Sequence, residues 1–85
     1  MKLDERTLRL IAVGASITTN CQPCLQINVT KALECGADEQ EIADAIQVGK
    51  MVRQGAASKM DKFASSLDYA ALSANAATGE CGCGS

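Results

Sequence analysis

Two cysteines separated by two residues carry the most specific chemical signal in this sequence. Cys21 and Cys24 enclose Gln22 and Pro23 in a Cys-x-x-Cys motif, and at this spacing two thiols can lie on one side of the first turn of a helix. There they can close a disulfide, share a metal ion or alternate between thiol and disulfide. The N–H groups of a helix start favour a thiolate, so we expect a thiol pKa below the free value of about 8.5.

The spacing and the position favour a redox role for this pair. One thiolate would attack a disulfide or a peroxide, and the other would resolve the intermediate by forming the Cys21–Cys24 disulfide. Asn28 lies one turn beyond Cys24, where it can donate a hydrogen bond to a thiolate or orient a water but cannot carry a proton. Asn28 can equally be an ordinary polar residue on a half-exposed face. The alternative interpretation of Cys21 and Cys24 is that they are two small buried hydrophobic residues.

Metal binding is a second interpretation of the cysteines. A site of four thiolates, which zinc and iron–sulfur centres often use, would combine Cys21, Cys24, Cys81 and Cys83 if the C-terminal end folds back. The Cys-x-Cys half is less usual and the chain has no histidine, so we prefer the redox interpretation and expect no resident cofactor. Cys81 and Cys83 can instead shuttle electrons from an outside reductant, or be incidental thiols on a disordered end.

Composition excludes several classes of function. A chain of 85 residues makes one domain, and its net charge of −2 lacks the basic footprint of nucleic-acid or anionic-membrane binding. No stretch is long and apolar enough to cross a bilayer. The N-terminus lacks the apolar run of a signal peptide, so we expect a cytoplasmic location, where disulfides are usually transient. The odd number of five cysteines also argues against a fully paired secreted framework.

Helices are the elements predicted to position the motif. Apolar periodicity predicts helices over residues 4–19, from the cysteine pair to about Cys35, and from Asp38 to about Leu72. Gly55 is the expected break in the last stretch, which gives four helices. No alternating β-branched run or hairpin turn is present, so the predicted class is all-α.

Local signals fix several helix ends. Asp4 is the expected N-cap of the first helix, and Asp38 with Glu41 has the pattern of a capping box. Gly36 supplies a stop for the second helix, and Gly14 would let another helix approach closely. Residues 1–74 are therefore predicted to form one helical domain, and residues 75–85 a flexible tail rich in glycine and cysteine.

The apolar content is high for a monomer of this length. Hydrophobic residues make up 47% of the chain, but few of them are large: Phe63 and Tyr69 are the only aromatic residues, and there is no tryptophan. A chain this short often cannot bury enough apolar surface alone. We therefore expect a homo-oligomer in which one apolar face packs against another copy; the alternative is a compact, marginally stable monomer.

Three segments together resemble a known family. They read LRLIAV at 8–13, NCQPCLQIN at 20–28 and ALECGADEQEI at 32–42, and they are similar to the carboxymuconolactone decarboxylase family in its alkylhydroperoxidase D-like branch. The resemblance implies a four-helix subunit that assembles as trimers or hexamers. It also implies peroxide reduction in antioxidant defence, with a peroxide or disulfide as substrate and a dithiol protein or cofactor as reductant. By the same resemblance, Cys24 would be the deeper, attacking thiol and Cys21 its partner.

The proton relay of that branch is incomplete in this chain. Its glutamate position holds Arg9, and its two histidine positions hold Pro23 and Asn28. A relay through histidine is therefore impossible within the chain. The decarboxylase branch does not depend on a thiol pair, so the pair argues against lactone decarboxylation; a decarboxylase-like enzyme and a non-catalytic oligomer are the remaining alternatives. We predict thiol–disulfide exchange or peroxide reduction by Cys21 and Cys24.

Overall fold

The computed structural model describes residues 1–76 as four α-helices, with no strand in that part of the chain. They are α1 (Glu5–Thr18), α2 (Gln22–Glu34), α3 (Glu39–Ser66) and α4 (Tyr69–Ala76). Residues 77–85 lie outside the described residues, and with them most of the predicted tail. The all-α class and the number of helices agree with the sequence prediction. None of the four combines the length and the apolar composition that a bilayer crossing requires.

The predicted caps are present at the helix ends. Oδ1 of Asp4 accepts a hydrogen bond from the backbone N of Thr7 at 2.7 Å, and this bond lowers the pKa of the Asp4 carboxyl below its ordinary value. Asp38 and Glu41 form the reciprocal capping box, with N···O distances of 2.8 and 3.0 Å. Gly36 ends α2 in the left-handed region with φ 94°, as the sequence predicts.

The break in the long helical stretch is not at Gly55, and that prediction is wrong. α3 continues through Gly55 and ends at Ser66. Glycine weakens a helix by only about 1 kcal/mol relative to alanine, and good helix formers surround it here. The chain leaves the helix at Leu67, whose backbone is extended (φ −66°, ψ 136°). Asp68 then begins α4 by accepting a hydrogen bond from the N of Ala71 at 3.2 Å.

α1 and α3 cross where two glycines meet. A Cβ atom on Gly49 would overlap the carbonyl oxygen of Gly14 and lie 2.8 Å from Cβ of Ile17. Thr18 fixes the crossing, since its Oγ1 donates to the carbonyl oxygen of Gly49 at 3.1 Å. The close approach predicted at Gly14 is therefore confirmed, and it brings the end of α1 against the middle of α3.

The buried core of this three-helix body is small. Its buried apolar residues come from α1, α2, the α2–α3 turn and α3: Val13, Ala32, Ala37 and Ile42. An ion pair between Arg6 and Glu41 joins the starts of α1 and α3, and the hydrogen bond that Arg6 donates to the Glu41 carboxylate raises the pKa of the Arg6 guanidinium. The core thus holds α1, α2 and the first half of α3 together.

The second half of α3 and all of α4 project from this body. α4 packs against none of α1, α2 and α3, and the radius of gyration is 19.3 Å, against about 12 Å for a compact domain of this length. Large apolar side chains are exposed there, with Phe63 at 62% and Tyr69 at 72%. The chain alone therefore leaves much apolar surface in water.

Candidate functional site

Cys21 and Cys24 lie at the start of α2. Cys21 is the N-cap, with an extended backbone (φ −100°, ψ 99°), and its Sγ accepts a hydrogen bond from the backbone N of Cys24 at 3.3 Å. Pro23 occupies the first turn, where its missing N–H leaves no helical bond unmade. The predicted placement of the pair at a helix start is therefore present, with Cys21 just before the helix and Cys24 within it.

The structure joins the two sulfur atoms as a disulfide. The Cα atoms are 5.3 Å apart, which lies in the usual range for a disulfide. Cys24 is exposed, and Cys21 is half-buried. This order of depth is the reverse of the one that the family resemblance implies. The pair is thus at the surface of the chain and can meet a reactant from solution.

The turn before Cys21 is held in an unusual backbone conformation. Asn20 has φ 56°, in the left-handed region that asparagine tolerates better than most residues. Arg53 of α3 donates from Nη1 to Oδ1 of Asn20 at 2.9 Å and to the carbonyl oxygen of Ile17 at 3.2 Å. α3 therefore clamps the turn that presents Cys21, through a residue that sequence reasoning did not identify.

Asn28 contacts the backbone of Cys24 rather than its sulfur. Its Nδ2 donates to the carbonyl oxygen of Cys24 at 2.9 Å and to Oγ of Ser16 at 3.4 Å. Its Oδ1 accepts from Nη1 of Arg9 at 3.4 Å. Because Ser16 and Arg9 belong to α1, Asn28 anchors the first turns of α2 on α1 in this disulfide form.

Arg9 is not a plain solvated charge. Its side chain is 29% exposed, and Nε lies 3.6 Å from Oε2 of Glu5. That distance makes an ion pair but not a hydrogen bond, and Nε is buried without a hydrogen-bond partner. The Arg9 guanidinium reaches Cys24 only through Asn28, so its influence on the pair is indirect.

A small pocket of about 200 Å³ lies beside Cys21. Its lining includes Ser16, Asn20, Cys21 and Arg53, whereas Cys24 does not line it. Within residues 1–76 no carboxylate lies within 4 Å of the Arg53 guanidinium, as it does for Arg6 and Arg9. The pocket thus brings together one sulfur of the disulfide and a cation that the described chain leaves without a counter-ion.

The other cysteines are not assembled into this site. Cys35 is a half-buried free thiol at the C-cap of α2, at the far end of that helix from the disulfide. Cys81 and Cys83 lie outside the described residues. No cluster of three or more metal-ligating side chains occurs in the part of the chain that the structure describes. The four-thiolate metal site therefore stays a prediction.

Comparison with known proteins gives three findings. A family model described as the carboxymuconolactone decarboxylase family matches residues 1–64. "Uncharacterized protein 4 in cox locus" of Paracoccus denitrificans is 42% identical over 55 residues, which cover 65% of this chain and 50% of that protein. The chain thus spans about half the length of the curated relative that it matches. No solved structure matches the chain.

Proposed function

This chain belongs to the carboxymuconolactone decarboxylase family, and from that premise we propose that it is a thiol–disulfide redox protein of the alkylhydroperoxidase D-like branch. Cys21 and Cys24 are its reactive residues. The observation that carries the proposal is the disulfide between them at the start of α2, with Cys24 exposed. A surface disulfide beside a helix N-terminus is typical of pairs that are opened and closed by thiolates.

Disulfide exchange is the reaction that this chain can perform with its own residues. A dithiol reductant opens the Cys21–Cys24 bond and becomes oxidised, and the reduced pair then passes the two electrons to a substrate disulfide. With a peroxide, one thiolate takes the outer oxygen as a sulfenic acid and releases an alcohol or water. The second thiol then attacks that sulfur, which restores the disulfide and releases water.

Peroxide reduction is expected to be the slower of the two reactions. The alkoxide or hydroxide that leaves the peroxide needs a proton, and the chain contains no histidine to deliver one. A thiolate leaving from a disulfide is a weaker base and has no such need at neutral pH. The proposed physiological role is therefore electron transfer to a disulfide or peroxide substrate in antioxidant defence, with exchange as the core activity.

Single serine variants test this proposal. Cys21→Ser and Cys24→Ser should each lower turnover of a disulfide or of cumene hydroperoxide, with dithiothreitol as reductant, by at least about 100-fold, because neither variant can cycle through the disulfide. Turnover is followed as oxidised dithiothreitol formed per protein chain. Thiol alkylation and mass spectrometry at controlled redox potential check that the linkage forms between these two residues.

Cys35→Ser is the matched control, since Cys35 lies on the same helix and is a free thiol. It should keep turnover within about twofold of the wild type. Retention of full activity in both Cys21→Ser and Cys24→Ser, or the absence of a Cys21–Cys24 linkage under every mild oxidant, would contradict the redox function.

Assembly into a homo-oligomer, a trimer or a hexamer, is the second part of the proposal. Two features support it: the exposed apolar side chains of the projecting α3–α4 arm, and an apolar groove of about 440 Å³ between α1 and α3. Ile11, Val48 and Val52 line this groove and are each more than half exposed. Covering such surface with another copy would remove it from water, the dominant favourable term in association.

A further inference from the structure

We propose that the pocket beside Cys21 binds a small thiol or disulfide that carries a carboxylate, and that Arg53 recognises the carboxylate. The inference rests on the proposed redox function and adds to it the chemical class of the reactant. It depends on three features: the position of Cys21, the free donors of Arg53 and the start of α2.

The pocket gives the two cysteines unequal positions. Cys21 lines it and Cys24 does not, so a molecule held there meets the Cys21 side of the disulfide. The volume of about 200 Å³ is below the 300–1,000 Å³ that drug-sized ligands occupy. The pocket therefore suits a short reactant, or the short end of a longer one, in which few atoms separate the sulfur from a charged group.

Arg53 has the free donors that a carboxylate requires. Nη1 makes both of its hydrogen bonds to the turn, to the carbonyl oxygen of Ile17 and to Oδ1 of Asn20. Nε and Nη2 make no hydrogen bond within residues 1–76, and Arg53 is only half-exposed. Two bonds on one nitrogen fix the plane of the guanidinium, and its remaining edge can bind both oxygens of a carboxylate in parallel.

The start of α2 adds a second attraction for an anion. Gln22, the first residue of α2, also lines the pocket, and the unpaired N–H groups of a helix N-terminus carry partial positive charge. Arg53 and the α2 terminus therefore act in the same direction on a bound anion. Glu41 pairs with Arg6 and Glu5 pairs with Arg9. Neither of these two carboxylates lines the pocket.

The reaction at this site balances as an ordinary exchange. The thiolate of the bound thiol attacks Sγ of Cys21, forms a mixed disulfide there and releases the Cys24 thiolate. A second thiolate attacks the sulfur of the first thiol, which frees Cys21 and yields one molecule of disulfide. Two thiols are oxidised, the protein disulfide is reduced, and the two thiol protons end on Cys21 and Cys24. The reverse sequence oxidises the protein with the same anionic disulfide.

The test compares two thiols that differ in charge but hardly in shape, 3-mercaptopropanoate and 3-mercaptopropanamide. The rate at which each opens the Cys21–Cys24 disulfide is measured by alkylation and mass spectrometry on the wild-type chain and on Arg53→Gln. Dividing each variant rate by the wild-type rate with the same thiol cancels the intrinsic nucleophilicity of that thiol. We expect the normalised rate to fall about tenfold more with the carboxylate than with the amide.

Arg53→Lys and Lys50→Gln complete the design. Arg53→Lys keeps the charge and loses the bidentate edge, so its preference for the carboxylate should lie between wild type and Arg53→Gln; it also serves if Arg53→Gln fails to fold. Lys50 is an exposed cation on α3 that does not line the pocket, and Lys50→Gln should keep the wild-type preference. Sodium propanoate should slow the carboxylate thiol in the wild type.

The outcomes distinguish a failure of the carboxylate site from a failure of the redox function. The carboxylate site is overturned if Arg53→Gln slows both thiols equally and Arg53→Lys keeps the wild-type preference. Arg53 would then only position the turn, and the redox function would stay intact. Equal effects of Arg53→Gln and Lys50→Gln would overturn it too, because the carboxylate would then respond to any nearby positive charge and not to the donors in the pocket. A disulfide that neither thiol opens in the wild type would instead contradict the redox function itself.

Discussion

Asn28 joins two helices and the cysteine turn through a single amide group. It bonds to the carbonyl oxygen of Cys24, to Ser16 and to Arg9, and it stands where the resemblance to the alkylhydroperoxidase D-like branch implies a histidine that moves a proton. An amide cannot take over that role. At this residue, therefore, the chain has an amide that connects α1 and α2 and has no acid–base group.

Asn28→Ala should lower the free energy of unfolding by about 1–2 kcal/mol, because the carbonyl oxygen of Cys24 and the guanidinium of Arg9 each lose a partner. Urea denaturation of the oxidised protein measures the change. Thr30→Ala is the matched control, since Thr30 is an exposed hydroxyl residue on the same helix, and its effect should stay within about 0.5 kcal/mol.

Redox turnover of Asn28→Ala decides how the residue acts. A structural anchor predicts turnover that falls only as far as the folded fraction falls. A loss of turnover in a variant whose stability is unchanged would show that Asn28 acts on the thiols directly, as the sequence also allows.

The sequence identifies the reactive cysteines but not the residues around them. Cys21 and Cys24 are found because their spacing is itself the signal. Arg53 carries no such signal: it lies 33 positions from Asn20 along the chain, and it reaches the turn only because α3 crosses α1 at the two glycines. Its role depends on the angle and register of that crossing, which local patterns do not encode.

At the scale of helices, the ends of a helix can be predicted from the sequence more readily than the course of its interior. Asp4, Asp38 and Gly36 mark helix ends through bonds or backbone angles that a few neighbouring residues decide, and each was predictable. Gly55 is a residue type that often ends a helix, yet it lies inside α3, where a Cβ atom at its position would meet no other part of the structure within 4 Å. The chain leaves α3 at Leu67, although leucine is not a residue type that signals a helix end. The helix stops there because Asp68, the next residue, caps α4.

Two glycines of α3 give opposite predictions for the same substitution. Gly49→Ala places a Cβ against the backbone of Gly14 and against Ile17, so α1 and α3 must separate, and we expect a loss of about 2–3 kcal/mol in unfolding free energy. Gly55→Ala meets no atom within 4 Å and should stabilise the helix by up to about 1 kcal/mol.

Chemical denaturation of both variants under identical conditions provides the comparison. Each variant is the control for the other, since the helix and the added methyl group are the same. Equal effects of the two substitutions would show that the helices do not approach as closely at Gly49 as described. Weaker clamping of the cysteine turn by Arg53 should accompany the loss in Gly49→Ala.

At the scale of the whole molecule, the projecting arm accounts for the proposed assembly. Val48, Val52 and Phe63 fall on one stripe of α3 at helical spacing, so the apolar side of α3 that lines the groove continues along the arm as an exposed stripe. All three side chains are more than half exposed in the single chain. Continuity of this stripe favours another copy of the chain as the cover of the groove.

Val52→Glu should dissociate the proposed oligomer. A charge placed in an apolar interface costs several kcal/mol, which weakens association on the order of 100-fold. Light scattering coupled to size-exclusion chromatography should show a multiple of 8.8 kDa for the wild type and a shift toward a single chain for the variant.

Gln54→Glu introduces the same charge on an exposed residue of α3 that does not line the groove, and it should leave the mass unchanged. A wild-type mass of one chain at every concentration would show that the proposed assembly is wrong.

The Sγ atom of Cys21 is both a reactant and the acceptor that caps α2. Opening the disulfide turns this atom from a neutral bridge into an anionic sulfur whenever the proton is lost, and an anion accepts the N–H of Cys24 more strongly. Formation of the Cys21 thiolate should therefore strengthen the bond that caps α2. The redox state of the pair should therefore be measurable as the rate of amide hydrogen exchange at Cys24, which is slower when the capping bond is stronger. This measurement uses no reagent that consumes the thiols.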